Sequence, residues 1–121
     1  MIYMPSFKNT QKISKIEMSF SMYSFCPLGD DYYTNHFTIQ FYPGYIIPDY
    51  CDIEYIVKRK ELVTYREGGT STEVEKLSIE DAVEFVYDTL MSYNPKKLVV
   101  ESSVYDAVHF PVTVTRSSEE V

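Results

Sequence analysis

Between Ile16 and Tyr23 the chain alternates without a break, Ile16, Met18, Phe20 and Met22 against Glu17, Ser19, Ser21 and Tyr23. Successive side chains of an extended backbone point to opposite faces, so this period of two marks a half-buried strand. The turn-rich stretch Pro27-Leu28-Gly29-Asp30-Asp31 follows, and then Phe37, Ile39 and Phe41 alternate with Thr38 and Gln40. Two such strands joined by a loop of this size predict an antiparallel hairpin, ended or bent by Pro43-Gly44.

A second strand pair is expected from Lys97 to Val104 and from Phe110 to Arg116, with Phe110, Val112 and Val114 on one face. Asp106-Ala107-Val108 lies at its turn, and the tail Ser117-Ser118-Glu119-Glu120-Val121 is expected to fray. Between the pairs, Ile79, Ala82, Val83, Val86 and Leu90 recur at helical spacing, with Tyr87 joining the stripe. Ser78 suits the N-cap, Glu80 and Asp81 suit the positive helix start, and Asn94-Pro95 stops the helix. A weaker pattern, from Asp49 through Ile53, Ile56 and Val57, predicts an earlier helix. Gly68-Gly69-Thr70-Ser71-Thr72 reads as a flexible loop between the two helices.

The order strand, strand, helical segment, strand, strand predicts an α+β domain. Its four-stranded antiparallel sheet carries helices on one face. Such a sheet keeps two open edges, and closing it into a ring with copies of itself is one way to protect them. At 121 residues there is room for one domain over residues 1–121 and for one core. The 12 Tyr and 7 Phe come with no Trp, and Tyr suits subunit interfaces and the rims of sites for flat ligands.

Charge narrows the partners. Eighteen acids against 11 bases give a net charge of −7, and the one basic run, Lys58-Arg59-Lys60, is followed at once by Glu61. Binding to a nucleic-acid backbone needs a basic patch, so nucleic acid is disfavoured. No apolar run is long enough to span a membrane and no signal peptide is evident, which predicts a cytoplasmic protein. The two cysteines, Cys26 and Cys51, are expected as free thiols, and the two histidines, His36 and His109, as isolated surface or interface residues. No Cys/His cluster with metal-ligand spacing occurs, so no metal is expected.

The segment Tyr23-Ser24-Phe25-Cys26-Pro27-Leu28-Gly29 ends the first strand, and Phe41-Tyr42-Pro43 closes the second. Together they resemble the 7-cyano-7-deazaguanine (nitrile) reductase family and its archaeal amidinotransferase relatives, over roughly Met18 to Thr115. From Cys26 to Pro43 the spacing matches without a gap. Ile79-Glu80-Asp81-Ala82 is similar to that family's His-Glu-Asp-Cys helix start, and Asn94-Pro95 to its Asn-Pro or Asp-Pro, one residue short. The resemblance implies a tunnelling fold (T-fold) of ββααββ order forming oligomeric rings. It also implies chemistry on a small guanine-like base bearing a nitrile, as in queuosine or archaeosine biosynthesis.

Carried over residue by residue, the resemblance makes Cys26 the nucleophile and Glu80 the carboxylate that grips the base. A thiolate is the side chain best suited to attack a nitrile, and the resulting thioimide needs a nearby acid to protonate its nitrogen. The family's catalytic Asp falls on Tyr33, which leaves Asp30, Asp31 or Tyr33 as proton donor, with Asp31 preferred. The family's cofactor-binding stretch corresponds to Asp49-Tyr50-Cys51-Asp52-Ile53-Glu54, which has no Lys. NADPH is therefore not expected to serve, and the step after the thioimide, reduction or amination, stays open. The alternative is a catalytically inactive T-fold that binds a purine- or pterin-like ligand or a protein partner.

Overall fold

The computed structural model describes residues 6–27, 31–64 and 76–119. Leu28-Gly29-Asp30 and Gly68-Gly69-Thr70-Ser71-Thr72 lie outside the described residues, and with them Asp30 as a candidate donor. The elements are β1 (Ser6–Lys8), β2 (Ile16–Phe25), β3 (Tyr32–Tyr42), β4 (Ile46–Pro48), α1 (Tyr50–Thr64), α2 (Ile79–Met91), β5 (Lys97–Val104) and β6 (Val112–Ser117).

Four strands make one antiparallel sheet in the order β2-β3-β5-β6. The β2–β3 ladder runs unbroken from Ile16 opposite Phe41 to Phe25 opposite Tyr32. This register puts the apolar members of every strand on one face: Met18 sits opposite Ile39, Ile39 opposite Val100, and Phe41 opposite Leu98. Both helices cover that face, α1 against β2 and α2 against β5 and β6. Met22, Phe37, Ile39, Phe41, Leu98 and Val100 from the sheet meet Ala82, Val83, Val86 and Leu90 from α2 in the core. The Phe20 and Phe37 rings stack there, tilted, with centroids 5.3 Å apart.

α2 begins where its sequence signals put it. The Ser78 hydroxyl accepts the Asp81 N–H at 3.0 Å, and Ile79, Ala82, Val83, Val86, Tyr87 and Leu90 are buried as the stripe requires. It ends at Met91 with Ser92 as its C-cap, and the chain turns away at Asn94, whose φ of 52° is the left-handed conformation that Asn tolerates. α1 starts after Asp49, whose carboxylate accepts the Cys51 N–H at 2.9 Å. Of its described side chains only Ile53 and Val57 are core residues, while Tyr50, Tyr55 and Leu62 stay exposed. A stripe that narrow explains its faint sequence pattern.

Three features depart from expectation. β1 and β4 form a further two-stranded sheet that the sequence does not announce, since all three β1 residues are exposed and show no alternation. Phe110 stands outside the last strand and is 77% exposed. Pro111 follows it, and a residue without an N–H cannot join the ladder, so pairing begins at Val112. The tail does not fray as far as Glu119: Ser118 N–H donates to Leu98 O at 2.9 Å, Leu98 N–H donates to Ser118 Oγ at 2.9 Å, and Lys97 pairs with Glu119 at 3.3 Å. Among the described residues no helix is long and apolar enough to cross a membrane.

Candidate functional site

At one end of the sheet the core changes character. Here β3 turns Tyr33 and Asn35 inward, at positions where the pattern elsewhere has Phe and Ile. Buried Asn35 is satisfied by its neighbours: its Nδ2 donates to Ser24 Oγ at 2.8 Å, and Ser102 Oγ donates to its Oδ1 at 3.0 Å. Beside this network Tyr33, Ile79 and Val104 form a second, smaller core cluster, with Cys26, Ala107 and Val112 packed against it.

Two hydrogen bonds clamp the start of α2 to the β2–β3 hairpin. Leu77 N–H donates to Phe25 O at 3.0 Å, and the Tyr33 hydroxyl donates to Leu77 O at 2.6 Å. Leu77 is thus held by both its backbone groups, one residue before the Ser78 cap and three before Glu80. On the other side, Cys26 N–H donates to Asp31 O at 2.7 Å and closes the turn from β2 into β3. The Asp31 carboxylate accepts the Tyr32 N–H at 2.8 Å. The β5–β6 turn is pinned as well, because Asp106 accepts both the N–H and the hydroxyl of Thr34, at 2.9 and 2.8 Å.

These segments surround a cleft of about 620 Å³ lined by Cys26, Asp31, Tyr33, Glu80 and His109, with Tyr32, Ile79, Ala107 and Val108 among its apolar and aromatic walls. Residues far apart in sequence, Cys26 and Asp31 from the hairpin and Glu80 from the helix start, therefore meet at one opening. Cys26 is half-buried, and Glu80 is exposed, with no ion-pair partner among the described residues. Burial pushes the Tyr33 hydroxyl up to about 12; the neighbouring Cys26 and Glu80 add to this, and the polar groups of Ser24 and Asn35 oppose it. At 3% exposure and already donating to Leu77 O, this hydroxyl is fixed as a neutral structural group.

His109 is the cleft residue that sequence reading passed over. It is isolated in the chain, and only the β5–β6 turn brings it beside the hairpin end. His36, by contrast, is on the exposed face of the sheet, where its Nδ1 shares a hydrogen bond with Ser21 Oγ at 3.2 Å. Cys51 is exposed on α1, outside the cleft. The Asp49 to Glu54 stretch forms the start of α1, and Tyr50, Ile53 and Glu54 line a different groove, of about 680 Å³, along the free edge of β2. Among the described residues no group of three His, Cys, Asp or Glu side chains could hold a metal ion.

No protein-family model matches the sequence, and no curated protein matches it. Solved structures do share its fold. The crystal structure of the archaeosine synthase QueF-Like in the apo form superposes with a TM-score of 0.70, at 14% identity, over 90% of this chain and 97% of that one. The chain thus has the α+β, antiparallel fold of a QueF-Like archaeosine synthase.

Proposed function

We propose that this protein binds a small guanine-like base carrying a nitrile, of the 7-cyano-7-deazaguanine kind, and joins it covalently to Cys26. The observation that carries this reading is the meeting of Cys26, Asp31 and Glu80 in one cleft with aromatic and apolar walls. The fold shared with an archaeosine synthase supports a place in queuosine- or archaeosine-type chemistry. In the step we infer, the Cys26 sulfur forms a bond to the nitrile carbon. One carbon–nitrogen π bond breaks, and its electron pair goes to nitrogen, which takes a proton from Asp31. Asp31 suits this better than Tyr33, whose hydroxyl proton is committed to Leu77 O. Glu80 accepts from the ring N–H and exocyclic amine of the base, two donors for one carboxylate.

The thioimide then meets either a reductant or an amine. The stretch that the resemblance makes cofactor-binding, Asp49 to Glu54, carries no Lys to pair with the phosphates of a nicotinamide cofactor, and we derive no reductive step. We read the fold as a T-fold that closes into a homo-oligomeric ring. β2 and β6 are the open edges of the sheet. Along β2, Ile16, Met18 and Phe20 are only partly covered, while the Tyr23 N–H is capped by Glu61 at 2.8 Å. Sedimentation equilibrium at micromolar concentration should show the ring; a clean monomer removes the assembly from this reading.

Intact-mass measurement tests the chemistry. Incubation with 7-cyano-7-deazaguanine should add the mass of the base to the wild type and to Cys51→Ala, and nothing to Cys26→Ala. The presence of Tyr33 where the resemblance expects Asp favours a second reading, a T-fold that binds the base without reacting. Calorimetric binding with no mass increase at any pH would establish that reading and end the covalent one.

A further inference from the structure

We propose that His109 is the general base that takes the thiol proton of Cys26, an inference that rests on the covalent role given to Cys26 above. Few groups of the cleft are able to do this. Attack on a nitrile needs the sulfur without its hydrogen, and the best acceptor is a base whose strength is near that of the thiol. An ordinary carboxylate lies about four pKa units below an ordinary thiol and an imidazole only about two, so histidine is the better match. Asp31 already has one carboxylate oxygen on the Tyr32 N–H. The Tyr33 hydroxyl is a donor to Leu77 O. Glu80 is assigned to the base of the ligand. His109 is the imidazole on the cleft wall, and the chain's other histidine is tied to Ser21 on the far face of the sheet.

The geometry of His109 also selects the right nitrogen. Its Nδ1 lies 2.7 Å from Phe110 O. A carbonyl oxygen only accepts, so Nδ1 carries the hydrogen and Nε2 is left with its lone pair. The turn that presents the ring is held in place by the two hydrogen bonds from Thr34 to Asp106, and it follows Val104, which is fully buried at the end of β5. An imidazole with one nitrogen fixed by a backbone carbonyl and the other free is a group arranged to accept a proton.

The proton balance closes. The S–H bond of Cys26 breaks and its proton moves to His109 Nε2. Sulfur bonds to the nitrile carbon, and the nitrogen takes the proton of Asp31. The imidazolium returns its proton to solvent and the exposed Asp31 carboxylate takes one up from it, so the net change is addition of S–H across the carbon–nitrogen triple bond. No oxidant or reductant enters.

Thiol alkylation reads this pair without any nitrile. In a Cys51→Ala background, which removes the exposed second thiol, the rate of Cys26 alkylation by iodoacetamide is followed against pH with His109 intact, as His109→Gln and as His109→Ala. With His109 intact the rate at pH 7 should exceed that of both variants by about tenfold, the effect of one pKa unit on the thiolate fraction. At about pH 10, where thiols ionise without help, all three rates should converge, which shows that access to Cys26 is unchanged. Superimposable profiles with and without the imidazole would overturn the inference. A difference that persists equally at high pH would overturn it too, since it would mark a change of access. The nitrile adduct, measured by mass in parallel, separates the two claims. Adduct formation with superimposable alkylation profiles sinks His109 alone, whereas a His109-dependent profile with no adduct sinks the nitrile reading alone.

Discussion

Tyr33→Phe removes one oxygen from a buried ring and leaves its packing in place, so its cost isolates the hydroxyl. At pH 7 the change strands the Leu77 carbonyl, which now receives a 2.6 Å hydrogen bond, and leaving such an acceptor unpaired costs about 1–3 kcal/mol. The same hydroxyl makes that cost depend on pH. Its folded value is about 12 against an ordinary 10.0. A group whose pKa is raised by folding contributes stability that is fully present below the unfolded value and lost as pH rises through the folded one. Two units at 1.36 kcal/mol each set an upper bound near 2.7 kcal/mol, of which about 2 kcal/mol falls between pH 10 and pH 12. Wild type should therefore lose about 2 kcal/mol more than Tyr33→Phe between pH 10 and pH 12. Tyr93, also pushed up to about 12 by burial with the charges of Asp52 and Asp49 adding, titrates identically in both proteins and cancels. Urea unfolding at pH 7, 10 and 12 gives the three differences. A gap between the two proteins that stays constant across the range would show that the hydroxyl titrates as it does in water, and the clamp at Leu77 would lose its main support.

The other predictions are as specific. Glu80→Ala and Glu80→Gln should each weaken calorimetric binding of the free base by about 2–4 kcal/mol, because the amide of Gln opposes a donor of the base; equal affinities would reduce Glu80 to a helix-start charge. Asn35→Ala should cost about 2–4 kcal/mol in chemical denaturation, since it opens a cavity and strands both Ser24 and Ser102. At Asp106 burial acts to raise the carboxyl, but the two hydrogen bonds from Thr34 outweigh it and hold the group below its ordinary 3.8. A depressed carboxyl contributes stability above its unfolded value that is lost as pH falls through the folded one. Hydrogen exchange at the Thr34 amide should accordingly rise, relative to neighbouring amides, as pH drops below about 4. In Asp106→Asn that acid-side change should be absent, and an unchanged profile would refute the assignment.

Much of this was legible from residue spacing. β2 begins at Ile16 where its alternation begins, and α2 begins behind Ser78 because cap, first-turn acids and apolar stripe all agree. Signals failed where the inward residue was polar or the segment too short. β3 starts at Tyr32, but its first inward positions are Tyr33 and Asn35, so no apolar alternation shows until Phe37. Their polarity makes sense only once Ser24 and Ser102 are in place across the sheet. β1 had nothing to read in three exposed residues. At the cleft, Cys26 and Glu80 were nameable from a resemblance, whereas His109 depends on a turn whose position is set by Asp106 reaching Thr34. Pairings across more than seventy residues leave no local trace.

The Leu77 clamp also has a consequence for how the chain tolerates change. Phe25 and Tyr33 grip Leu77 directly, so the spacing between the thiol and the carboxylate does not pass through the segment joining α1 to Leu77. The placement of Cys26 relative to Glu80 therefore rests on the hydrogen bonds that Phe25 and Tyr33 make to Leu77. A protein nicked between Thr64 and Lys76 should remain one particle with its cleft in register. Two separately made fragments divided there should reassemble around the hairpin through the Phe25 and Tyr33 hydrogen bonds to Leu77.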